Sequence, residues 1–217
     1  MRHHLKKTVI TIVLTALFFF PGNRTSLADP IPLPPDPNIL SLVNGISQDS
    51  LFNSVSTLVD FYTRHTYSDT LSVTSGIGAA RQWLLSRFDQ YASASSLYFW
   101  AGYWSGHNYP CYNIQALLSG SDPNNNLVIL GGHIDSRAAS SSSITDFAPG
   151  ADDDASGTAA LLEISRMLTS LVLSNTVSLN AFTGEEQGLY GSTAYAQNLQ
   201  SASVNVKAMV NMDMIAL

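Results

Sequence analysis

From residue 127 onward the chain changes its hydrophobic period in a way that few architectures accept. An apolar run over 127–132 (LVILGG) has strand character, and a helical pattern follows from Ala155 to Leu173. A second strand-like run covers Val177 to Phe182, a second helical pattern Ser192 to Gln200, and a third apolar run Val204 to Met212. Strands separated by helices in this order predict a parallel sheet with crossover helices, an α/β architecture.

The half before residue 127 is less regular. Apolar residues at helical spacing fill 39–65 (Leu40, Val43, Ile46, then Leu51, Val55, Leu58, Val59, Tyr62) and 77–92 (Ala80, Trp83, Leu84, Phe88). Two amphipathic helices are expected to come first. Strand-like runs follow at 96–103 and 112–119. The second is joined to 127–132 by the turn-forming SGSDPNNN, which predicts an antiparallel pair and a mixed, mostly parallel sheet. No internal repeat is visible, and the serine-rich stretch 139–144 reads as an exposed loop.

The amino terminus reads differently. Arg2, Lys6 and Lys7 precede an apolar run from Val9 to Phe20, then Pro21, Gly22 and Ser26-Leu27-Ala28. This is the pattern of a signal peptide over 1–28, cleaved after Ala28, and it predicts a secreted or periplasmic protein without a stable membrane anchor. The run falls short of the roughly 20 residues that a spanning helix requires. Residues 29–38 (DPIPLPPDPN) are too proline-rich for a helix and read as a linker. Residues 39–217 then form one domain, since a chain of 217 residues with 45% apolar content sustains one sizeable core.

Charge narrows the partners. Removing residues 1–28 discards four of ten basic residues and none of sixteen acidic ones, leaving a mature net charge near −10. Such a chain is not expected to bind nucleic acid. Cys111 is the single cysteine, so no internal disulfide framework is possible. Asn23-Arg24-Thr25 matches a glycosylation acceptor but lies inside the expected signal peptide.

Four segments carry candidate chemistry. The run LVILGG ends at His133, with Asp135 two residues on, a spacing that suits a metal-ligating histidine with a nearby carboxylate to fix its tautomer. Taken alone, a histidine there is more often an ordinary polar residue. In PGADDDASG, Asp152, Asp153 and Asp154 stand just before a helix pattern. Three adjacent carboxylates fit a cation, and acids at a helix N-terminus fit the dipole equally well. Asp152, Asp154, Ser156, Gly157 and Glu163 also match the spacing of a calcium loop, but Pro149-Gly150 stands where that motif needs an entering helix. The run Val177 to Phe182 leads into TGEEQGLYGS, where one of Glu185 and Glu186 could bind metal while the other faces a reacting water. An isolated Glu-Glu pair is otherwise a solvated turn. Asp213, in NMDMIA, emerges from an apolar run read as a buried strand and therefore needs a partner.

All four segments sit at or just beyond strand ends, where open α/β sheets place their ligand crevice. Together they describe one site of histidine and carboxylate ligands, a donor set better suited to zinc than to calcium.

GGHIDS, PGADDDASG, TGEEQGLYGS and NMDM resemble, in order and spacing, the motifs of the co-catalytic zinc aminopeptidases typified by bacterial leucyl aminopeptidase. The resemblance runs from about residue 50 to the end of the sequence. It implies a three-layer α/β/α sandwich of the zinc-peptidase type and two Zn2+ ions. His133 and Asp213 would bind one ion, Asp153 would bridge both, and Glu186 would bind the second. Glu185 would be the general base and Asp135 would orient His133. The peptide bond after the bridging residue, Asp153-Asp154, would be cis. Substrates would be peptides with a free N-terminus. The family's remaining histidine ligand lies well beyond the NMDM segment, so residues 39–217 would be a catalytic domain lacking its C-terminal part. Neither His65 nor His107 matches a motif of the family.

Carboxypeptidases and glutaminyl cyclases share the fold and part of the metal set, so they stand as alternatives. An inactive fragment that retains metal for structure is a third.

Overall fold

The computed structural model describes residues 34, 36–99, 110–124, 126–138 and 143–216, together with the pairs 103–104 and 107–108. The expected signal peptide and most of the linker lie outside the described residues. Residues 34 and 36–38 of the linker are described, and Pro37 opens helix α1 (Pro37–Asn44). Proline is accommodated at a first helical position because its missing N–H would have no partner there.

The 39–65 pattern, expected as one helix, folds as two. Helix α2 (Gln48–Asp60) starts afresh because Ser47 adopts extended backbone and its hydroxyl accepts the Ser50 N–H at 3.1 Å. Helix α1 buries none of its side chains, whereas α2 buries Leu58 and α3 (Gly76–Phe88) buries Ile77, Ala80, Leu84 and Phe88.

The five-stranded sheet has the order β1-β4-β6-β5-β7, formed by β1 (Ser93–Phe99), β4 (Cys111–Leu118), β5 (Leu127–His133), β6 (Thr176–Phe182) and β7 (Val206–Asn211). A separate two-stranded ribbon pairs β2 (Tyr103–Trp104) with β3 (His107–Asn108). In the main sheet β1, β4 and β6 pair antiparallel, while β6, β5 and β7 run parallel, so the expected mixed α/β sheet is present.

One expected pairing is corrected. Segments β4 and β5 do not form a hairpin, because β6 lies between them. Their connection crosses the start of β6 and bonds to it: Ser121 and Asp122 N–H donate to the Leu173 and Ser174 carbonyls, and Thr176 N–H donates to Asn126. The turn chemistry of SGSDPNNN is real, but it serves a connection that spans a strand instead of a tight turn.

Side-chain alternation divides the sheet's faces. On one, Ile114, Ala116, Val177, Leu179 and Ala181 join Leu58, Ile77, Leu84, Phe88 and Leu161 in the main core, packed by α2, α3 and α4 (Gly157–Leu168). Each fully buried Leu or Phe there contributes roughly 1.5–3 kcal/mol relative to exposure. On the other, Gln115 Nε2 donates to the Ser178 hydroxyl at 2.9 Å and to Tyr195 of α5 (Tyr190–Ser201) at 3.1 Å. Helices on both faces make the expected three layers.

Strand β7 departs from expectation. Its apolar content suggested burial on both faces, as in an interior parallel strand. It is instead an edge strand pairing with β5 alone, and Val206, Met209 and Val210 are exposed. Among the described residues no helix is long and apolar enough to cross a membrane.

Candidate metal centre

The parallel strands bring the expected site residues to one edge of the sheet. Register sets Phe182 beside His133 and Asn211 beside Gly131, and Met212 N–H extends the β7 pairing by donating to the Gly131 carbonyl at 2.8 Å. His133, the Glu185-Glu186 pair and Asp213 therefore all leave from the C-terminal ends of adjacent strands, as a ligand crevice in an open α/β sheet requires.

The three consecutive aspartates arrive from the other side, on the wide turn Ala151–Ser156 that precedes α4. Two features shape this turn. Gly150 has left-handed backbone (φ 46, ψ 49), and a side chain there would collide with the Asp153 carbonyl and the Ser136 Cβ. The Asp153-Asp154 peptide bond is cis, as the resemblance implied. The three carboxylates of this turn diverge. Asp152 accepts the Ala216 N–H at 3.0 Å. Asp153 faces His133. Asp154 turns inward, where it is fully buried and accepts the N–H groups of His133 and Gly157, each at 2.9 Å, and of Met214 at 3.4 Å.

His133, Asp153 and Asp213 each offer a ligand atom, and these atoms all lie within 4.8 Å of one another. His133 Nε2 is 3.0 Å from Asp153 Oδ1 and 3.9 Å from Asp213 Oδ1, yet it is buried without a hydrogen-bond partner. At the opposite ring position Nδ1 lies 3.1 Å from the Asp135 main-chain carbonyl, which can only accept. A proton on Nδ1 leaves the Nε2 lone pair aimed at two carboxylates, an arrangement that calls for a cation between them. One imidazole with two carboxylates is a donor set suited to zinc, so these residues fit the metal that the resemblance implies.

Electrostatics agree. Burial alone would lower the His133 imidazole, but the Asp135 carboxylate, with Asp154 and Glu185 behind it, outweighs this and pushes it up to about 9. Glu186 is pushed up to about 7 by burial and then by Asp153, with Arg137 opposing. Burial also raises Glu185, with His133 opposing and Asp135, Asp213 and Asp153 adding to the rise. Asp154 rises to about 6 through burial, held back by the His133 N–H. A region of crowded acids that retains protons is one where a divalent cation can replace them.

Asp135, expected to orient His133, is fully buried. Its carboxylate lies 3.6 Å from His133 Nδ1, farther than its own main-chain carbonyl. The same carboxylate accepts the Thr66 hydroxyl at 3.0 Å and the Glu185 and Glu186 N–H groups at 3.3 Å each, tying the turn after β6 to the end of β5. Glu186 stands outside the trio of gathered ligands; its Oε2 pairs with Arg137 Nε at 3.0 Å. The residues of the calcium-like spacing do not converge: Glu163 faces Arg166 and the Ser47 N–H while Asp154 holds main-chain donors.

Sequence reasoning missed Arg64, Thr66 and Arg137, and named Asp154 only as one of three adjacent acids. Asp154 had a visible signal in the aspartate triplet, and Arg137 stands two residues past Asp135. Arg64 and Thr66, far upstream, carry no local mark of the site they reach.

A "Probable zinc metalloprotease" of Pyrenophora tritici-repentis is 38% identical over 194 residues, spanning 85% of this chain and 40% of that protein. "Leucine aminopeptidase 1" of Blastomyces gilchristii is 30% identical over 197 residues, spanning 88% and 49%. The chain thus spans less than half the length of either curated relative. The crystal structure of the Legionella pneumophila LapA aminopeptidase superposes with a TM-score of 0.66 at 23% identity, covering 82% of this chain and 45% of that one, a likeness of fold. Residues 113–217, which contain every candidate ligand, match the model described as Peptidase family M28, and the chain belongs to that family of zinc peptidases.

Proposed function

We propose that this chain carries the metal site of an exported zinc aminopeptidase, which hydrolyses the N-terminal peptide bond of peptides with a free amino terminus. The observation that carries the reading is the unpartnered His133 Nε2 facing Asp153 and Asp213 at the mouth of three parallel strands. The aminopeptidase reading draws support from the relative named leucine aminopeptidase and from the four motifs. Export draws support from the 1–28 pattern.

His133, Asp153 and Asp213 would hold one Zn2+. By the resemblance of the four motifs, Asp153 and Glu186 would together hold a second ion. Bound zinc would supply Lewis-acid polarisation of the scissile carbonyl and acidify a water. Glu185 is the general base: burial raises its carboxyl, so it can take a proton from the attacking water and return it to the leaving amine. Asp135 fixes the His133 tautomer and, through two main-chain N–H groups, the position of Glu185.

The test is zinc-loaded protein assayed on aminoacyl anilides and on a short peptide. Chelator-sensitive release of the first residue supports the reading. Release from the C-terminal end, ring closure of an N-terminal glutamine, or the absence of any turnover overturns it.

A further inference from the structure

Arg64 is fully buried, yet none of its hydrogen bonds goes to a carboxylate. Its Nε donates to the Ile134 carbonyl at 2.8 Å, one Nη to Pro149 at 2.6 Å and Leu58 at 3.1 Å, and the other Nη to Gly150 at 2.9 Å. Ile134 lies between His133 and Asp135, and Pro149-Gly150 leads directly into the aspartate turn. The planar guanidinium therefore spans the two segments that present His133 and Asp153. The main chain around it repeats the join. Arg64 N–H donates to the Ser136 hydroxyl at 3.1 Å, that hydroxyl donates to the Ala148 carbonyl at 2.7 Å, and Ala148 N–H donates to Tyr62 at 2.9 Å.

An ammonium group could not replace this fork. Lysine offers one nitrogen on a flexible stem, whereas arginine holds three nitrogens in a fixed plane. The bonds also bring a positive charge behind three acids, since Asp135, Asp154 and Asp153 are the charges that act on the guanidinium. Burial lowers it only to about 10, so it stays charged at neutral pH. The fit is close on the far side as well: a Cβ on Gly150 would approach Arg64 Nη2 to 3.0 Å.

We infer that Arg64 is a positioning residue of the metal centre, setting the separation of His133 and Asp153 that lets one ion meet both. The inference rests on the zinc reading above and concerns geometry, not contact with substrate. Its test compares wild type, Arg64→Lys and Arg64→Met in the full chain, with Leu84→Ala as a control that weakens the main core away from the site. Zinc affinity is read by competition with a chromophoric chelator, and ligand geometry by the visible spectrum of the Co2+-loaded protein. Circular dichroism at the same temperature confirms that each variant is folded.

Loss of an outer partner of this kind is expected to weaken metal binding about 10–100-fold. Arg64→Lys should show that loss and an altered Co2+ spectrum, while Leu84→Ala keeps wild-type affinity and spectrum despite lower stability. If Arg64→Met does not fold, Arg64→Lys alone decides. Wild-type affinity in Arg64→Lys, or an equal loss in Leu84→Ala, overturns the role of Arg64 and leaves the zinc reading standing. A wild-type chain that binds no zinc overturns both.

Discussion

The buried Asp154 carboxylate accepts the main-chain N–H of His133 at 2.9 Å. Its second oxygen accepts Gly157 at 2.9 Å and Met214 at 3.4 Å, so one side chain ties together the segments bearing His133, Asp153 and Asp213. Replacing it by alanine leaves buried N–H donors without partners, at about 1–3 kcal/mol for each group that stays dry. Asp154→Ala is expected to lose about 2–3 kcal/mol of stability and much of its metal. Denaturant midpoints and elemental analysis of the purified variant check both.

Glu185→Gln should separate binding from turnover. The amide is nearly isosteric but cannot accept the proton, so peptide hydrolysis is expected to fall about 10²–10⁴-fold. Zinc content should remain at the wild-type level, because Glu185 is not among the gathered ligands. A variant that loses zinc in parallel with activity would move Glu185 from base to ligand.

Metal uptake should release protons. Without a cation, His133 is pushed up to about 9 and Glu186 to about 7, so at neutral pH His133 carries a proton, and Glu186 a fraction of one, that zinc must displace. Apparent affinity is expected to strengthen as pH rises from about 6 towards 9. Titration in weakly buffered solution, with the pH followed directly, measures the proton count. Chelator should lower the thermal midpoint, since an ion that binds only the folded state stabilises it.

Away from the centre, Glu163 gives a clean acid limb. The Arg166 guanidinium, and then the Ser47 N–H, hold its carboxyl below the ordinary value of 4.5. A carboxylate whose folded value is depressed contributes stability that is complete above its unfolded value and is lost as pH falls through the folded one. Glu163→Gln should therefore cost roughly 1–2 kcal/mol at neutral pH and progressively less below about 4.5. A difference that stays constant through the acid range would deny the pairing.

Cys111 is fully buried on β4, and burial pushes its thiol up to about 11, with Arg81 opposing. A buried, protonated thiol is a poor nucleophile. It is expected to resist Ellman's reagent in the folded chain and to react with one equivalent after denaturation. Activity should survive Cys111→Ala in folded protein, as no role at the centre falls to sulfur.

The sequence made the second half of the fold legible because each strand and helix there repeats its own period long enough to be seen. Gly45 to Ser47 hid a break, since Ile46 continues the apolar spacing across it while the Ser47 cap acts through a single hydrogen bond. The order of strands was hidden too: SGSDPNNN looks alike whether it closes a hairpin or steps over a neighbour. At the site, the aspartate triplet supported two readings, metal and helix N-terminus, and the structure divides them between Asp153 and Asp154. Asp153 faces the gathered ligands, while Asp154 accepts the first N–H of α4. Arg64 and Thr66 escaped because their partners lie about seventy positions downstream, a relation that no local window contains.

The place of β6 also bears on the order in which the chain can assemble. Because β6 lies between β4 and β5, those two strands have no direct pairing to make when they first leave the ribosome. Both wait, with donors and acceptors open along facing edges, until Thr176 to Phe182 has been synthesised and can slot between them. Closure of the sheet is thus a late, non-local event, of the kind that slows folding and leaves unpaired edges exposed to other chains. The same event brings Glu185 and Glu186 to the crevice, and Asp213 joins them only once β7 has paired with β5. A nascent chain short of Phe182 would expose one edge of β4 and both edges of β5, and could hold no more than part of its ligand set.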